Sequence, residues 1–124
     1  MTQLSKKIEN LNLDSIITRL RRDEHMSTAD IQQAVKEYKQ FLELRLRESD
    51  AQIVPSVLAD KVWHHHILDT RKYAEDCDII FGHFVHHNPH VENLEEHADA
   101  TAKKLRKVFK ESAPAAYRSA RCSA

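Results

Sequence analysis

Apolar positions recur at helical spacing along most of the chain. Leu4, Ile8 and Leu11 are followed by Leu13, Ile16, Ile17 and Leu20. One apolar residue every three or four positions is the period of a helix with one buried face. Asn12 to Asp14 either splits this stretch into two helices or lies inside one. Arg19, Arg21 and Arg22 crowd its C-terminal end, where cations complement the helix dipole. Ser27-Thr28-Ala29-Asp30 then opens the next element in a capping-box-like arrangement, with Ser27 as the N-cap. Ile31, Val35, Tyr38, Leu42 and Leu46 follow as a stripe widened by Ala34 and Phe41, predicting a long amphipathic helix over 28–48. Lys36, Glu37, Lys39, Glu43, Arg45 and Arg47 are expected on its solvated face.

Residues 48–55 read as a connector. Val54-Pro55-Ser56 combines an extended residue before proline with a helix N-cap. A helix from 57 carries Val57, Leu58, Val62 and Trp63 into His64-His65-His66. It either runs on to Ile80 or restarts at Asp69-Thr70, and Gly82 ends the run. Pro89 suits the first position of another helix. Leu94, Ala98, Thr101, Leu105, Val108 and Phe109 predict that helix over 90–111. From Ser112 the chain is rich in Ala, Ser and Arg, and a frayed tail over 112–124 is expected. The pattern predicts an all-α fold: one compact bundle of four to five helices over residues 1–111, without internal repeats.

Composition agrees. A single Gly and three Pro leave little material for β-turns. At 124 residues the chain can bury a core without disulfides. Two cysteines, Cys77 and Cys122, make no disulfide framework, so reduced thiols and a cytoplasmic location are expected. The N-terminus lacks the apolar block of a secretory signal. No apolar run reaches the ~18 residues of a membrane span. Lys plus Arg equals Asp plus Glu, 19 each, which argues against a general electrostatic grip on nucleic acid or anionic membrane.

The chemistry concentrates between Val62 and His90. Seven of nine histidines lie there, with the only Trp, the only Gly and Cys77. At about 100° per residue, an unbroken helix puts Val62, His66, Asp69, Tyr73, Asp76, Cys77 and Ile80 on one face. Polar groups on a buried face cost several kcal/mol (roughly 2–7) unless they are paired or bound to a cation. His66 and Asp69 have the i,i+3 spacing of bundle metal sites. Asp76 and Cys77 could join His86 or His87 after the turn at Gly82. Asp60, one turn before His64, suits a carboxylate that orients an imidazole. His65 reads as a solvated position. Each of these residues taken alone is more simply a packed core residue, and it is their number that favours a site. None of the spacings matches HExxH or paired CxxC.

The run VPSVLADKVWHHHILDTRKYAEDCDIIFGHFVHHNP resembles the conserved block of the glycine-rich domain-containing protein-like family. The resemblance rests on Val54-Pro55, Asp60 with Trp63-His64, Tyr73 with Asp76-Cys77, Phe81-Gly82 and His86-His87 with Pro89. It covers about a third of the chain and implies no agreed activity. It does imply that His64, Tyr73, Cys77, His86 and His87 are pattern positions, whereas His65 and His66 vary.

The leading expectation is a small metal-binding protein, a metalloenzyme of unassigned reaction. His64, Cys77, His86 and His87 rank first as ligands, then His66 and Asp69, with Tyr73 or Asp76 as proton-transfer groups. Imidazole, carboxylate and thiolate suit zinc first, then iron or copper. A cationic or neutral small-molecule ligand fits better than a phosphate, for which there is no Gly-rich loop. Two rival expectations are a non-enzymatic helical interaction module with a structural His/Cys cluster, and a metal-free Cys77–His pocket.

Overall fold

The computed structural model describes residues 4–88 and 91–110. The tail expected at 112–124, the helix start at Pro89, and Cys122 lie outside the described residues. These residues form six helices: α1 (Lys6–Glu9), α2 (Asp14–Asp23), α3 (Thr28–Arg47), α4 (Val57–Leu68), α5 (Thr70–Phe81) and α6 (Leu94–Phe109). Among the described residues the fold is all-α, as expected. The count exceeds four to five because both optional breaks are real.

Each break has a local cause. The Asn12 side chain accepts the backbone N–H of Asp14 at 2.9 Å, a short loop that competes with continuing α1 into α2. Asp69 leaves helical space at φ −87°, ψ 76°, ending α4 and starting α5 in one residue. Gly82 closes α5 at φ 78°, a conformation L-residues avoid. Ser27 and Ser56 cap α3 and α4 as expected, accepting the N–H groups of Asp30 and Ala59, each at 3.1 Å. The last helix begins at Leu94 rather than at about 90, after Asn93 in the left-handed region.

Helix α3 is the axis of the molecule, packing against α1, α2, α4 and α6. From Glu37 to Leu44 every residue except Lys39 is buried. The expectation of a solvated face therefore fails for Glu37 and Glu43. Both carboxylates sit in the interior, and each grips the N-cap serine of a neighbouring helix. Glu37 accepts from the Ser56 hydroxyl at 2.5 Å and from Gln33 at 2.8 Å. Glu43 accepts from the Ser5 N–H at 2.7 Å, the Ser5 hydroxyl at 3.1 Å and Arg47 at 2.8 Å. A buried carboxylate is tolerable when its lone pairs are satisfied in this way. Thr101 ties α6 to the connector by accepting from the Val54 N–H.

Candidate functional site

The joint at Asp69 creates the site. On a straight helix, residues ten apart would be separated by about 15 Å. Instead α5 folds back along α4, and two such pairs are in direct contact. His66 Nε2 lies 2.8 Å from Asp76 Oδ2, and Trp63 Nε1–H donates to Tyr73 Oη at 2.8 Å. The unbroken alternative, with one continuous polar stripe over 62–80, is not realised, and these four residues are the ones brought together. The residues meet across a hairpin of helices, not along one face.

His66 is the centre of this network and is 2% exposed. Its Nδ1 lies 2.7 Å from Tyr38 Oη on α3. The Asp76 carboxylate can only accept, so His66 Nε2 carries the proton and Nδ1 accepts from the Tyr38 hydroxyl. Lys72 completes the outer end, 3.0 Å from Asp76 Oδ2. Burial pushes the His66 pKa below the ordinary histidine range, against the opposing hydrogen bond and charge of Asp76. Burial likewise raises the Tyr38 and Tyr73 hydroxyls above the ordinary phenol range. The resulting tyrosine–histidine–aspartate chain has the connectivity of a proton relay. Its phenol end, however, is fully buried in the core.

A second chain runs beside it. Tyr73 Oη accepts from Trp63 and donates to the Val85 carbonyl at 2.5 Å, pinning the segment after Gly82. The Tyr73 ring is edge-on to His66 and to Phe84. Cys77, 3% exposed and unpaired, lies against the Tyr73 hydroxyl.

The four first-ranked ligands do not come together. His64 and His86 are exposed, Cys77 is in the core, and His87 pairs with Asp60 through Nε2 to Oδ1 at 2.8 Å. Asp60 thus holds His87, not His64. Asp69 lies in the joint and acts on His66 through its charge. Among the described residues, no group of three or more His, Cys, Asp and Glu is gathered so that it could hold a metal ion. The expected convergence fails because α4 presents successive histidines to different surroundings: His64 to solvent, His65 to α2 and His66 to α3.

His65 is also buried, contrary to the solvated reading. It lies 3.0 Å from Glu24 Oε2, and Arg19 donates to its carbonyl at 2.6 Å. Hydrogen bonds from His65 and then Lys61 hold the Glu24 carboxyl below its usual range. Tyr38 and Glu24 were the partners missed from sequence. Tyr38 offered one weak signal, a phenol in the middle of an apolar stripe, since a buried hydroxyl needs a hydrogen-bond partner.

No characterised relative and no solved structure matches the chain. The expected membership in the glycine-rich domain-containing protein-like family is overturned by the comparison with family models, which returns a different family. The matching model carries no named activity and covers residues 5–116, from the N-cap of α1 to beyond the end of α6. The chain belongs to the UCP032817-like family.

Proposed function

We propose that the chain is a non-enzymatic helical module whose histidine, tyrosine and cysteine cluster is structural and whose work is done at its surface, on a protein partner. The observation that carries this reading is the state of His66. Both ring nitrogens are spent inside the core, on Tyr38 and Asp76, at a position closed to solvent. A general base must reach the proton it abstracts, and a metal ligand needs a lone pair to give. His66 has neither to spare.

Two further features support it. Leu68, Ile79 and Phe84 are large apolar side chains left exposed among the described residues. The equal numbers of acidic and basic residues favour a protein partner over nucleic acid or anionic lipid. Among the described residues no helix is long and apolar enough to cross a membrane. The unpaired core thiol of Cys77 suits a reducing compartment such as the cytoplasm.

The test separates surface from core. Leu68→Ser combined with Ile79→Lys, at the two most exposed of these positions, should leave folded stability within about 0.5 kcal/mol, as surface changes do, and abolish capture of the partner. An Asp76→Asn protein that folds with normal stability but loses a measurable turnover would sink the reading.

A further inference from the structure

A second histidine–carboxylate cluster lies outside the buried network. Asp60 and His64 stand one turn apart on α4. This i,i+4 spacing lets two side chains of one helix reach the same ion, as the two histidines of HExxH do. After Gly82 the chain returns and sets His87 Nε2 2.8 Å from Asp60 Oδ1. The His87 ring is positioned by the core as well as by Asp60. It packs on Trp63 with 4.2 Å between ring centroids, and the Tyr73–Val85 hydrogen bond fixes the backbone two residues earlier. All three side chains reach solvent: Asp60 is 49% and His87 31% exposed, and His64 is exposed.

We infer that Asp60, His64 and His87 form a surface site for a divalent ion of the zinc class. Two ligand atoms each about 2.0–2.2 Å from zinc must themselves lie close together. The Asp60 oxygen and His87 nitrogen are already nearly so placed; the ion takes the place of the Nε2 proton, which passes to His87 Nδ1 so that the ring stays neutral and gives the Nε2 lone pair to the ion. His64 is the third ligand. Its present rotamer leaves it outside any gathered group. An exposed side chain changes rotamer in picoseconds to nanoseconds, and the helix spacing brings it to the ion. Two imidazoles with one carboxylate select zinc-like ions over magnesium or calcium, which prefer all-oxygen shells. The site shares no residue with the buried His66 network and leaves that network's structural role unchanged.

The full chain, without a histidine tag, is titrated with Zn2+ by calorimetry and with Co2+ by visible absorption. The expected result is one ion per chain, with affinity falling roughly tenfold or more in His64→Ala, His87→Ala and Asp60→Asn. His83→Ala and His86→Ala, which alter exposed histidines of the same loop, should leave it unchanged. Because His64 is exposed, its replacement preserves the fold and is the decisive variant; circular dichroism with chelator present confirms folding of the others. Failure to bind stoichiometrically overturns the site. So does binding that survives His64→Ala or His87→Ala, or binding lost equally with His83→Ala and His86→Ala.

Discussion

Single residues here are held by partners far away in sequence, and their removal should be felt accordingly. Tyr38→Phe keeps the ring but deletes the proton that His66 Nδ1 accepts. A buried acceptor without its donor costs about 1–3 kcal/mol, and urea unfolding should show a loss of that size. His66 also predicts a pH dependence. Burial holds its folded pKa below the unfolded value of about 6.5, so in acid the unfolded chain binds more protons than the folded one. The stability from the neutral ring is complete above about pH 6.5 and is lost progressively as pH falls below it. Unfolding free energy should decline between about pH 7 and pH 5, with a shallower slope in His66→Gln. An equal slope in the variant would assign the effect to other groups. At this scale the sequence was least informative. His66, Asp76 and Tyr73 were recognisable as polar residues in an apolar setting, but Tyr38 as the partner of His66, and Glu24 as the partner of His65, were not. Those bonds span 28 and 41 residues, and no local period encodes them.

Elements were far more legible, because helix periodicity and caps are local signals. The long third helix, both serine caps and the glycine stop all follow from spacing and from one or two residues each. The hidden part was the burial of charge. Glu37 and Glu43 resemble solvated residues because a period shows which face is apolar, not how many neighbours surround the helix. Their grip on helix starts gives a comparison. Ser27→Ala removes an exposed cap and should cost about 1 kcal/mol. Ser56→Ala removes a cap and also strips a buried carboxylate of a donor. It should cost about 1–3 kcal/mol more. Equal losses in thermal or urea unfolding would show that the Ser56–Glu37 bond adds nothing. Gly82→Ala isolates backbone strain, since an added Cβ would meet no atom within 4 Å. Its cost should be only the left-handed penalty of about 1–2 kcal/mol.

At the scale of the whole molecule, the density of histidines suggested a metal centre and the fold divides them instead. The reason is topological. A chain that bends at Asp69 sends one part of the cluster inward, to be consumed by hydrogen bonds, and returns another part to the surface at His87. The two populations should separate by reactivity. Diethylpyrocarbonate, which acylates accessible imidazole nitrogen, should modify His64, His83 and His86 in the folded protein and spare His66. Mass spectrometry of digested protein reads this directly, and early labelling of His66 would argue against the buried assignment.

The thiol wedged behind Tyr73 supplies a clock for breathing motions. A reagent such as dithionitrobenzoate can attack Cys77 only while the packing around it is open, so with Cys122 replaced by serine the reaction rate counts those excursions. Tyr73→Phe, which frees the Val85 carbonyl, should make the clock run faster even where the average fold is unchanged.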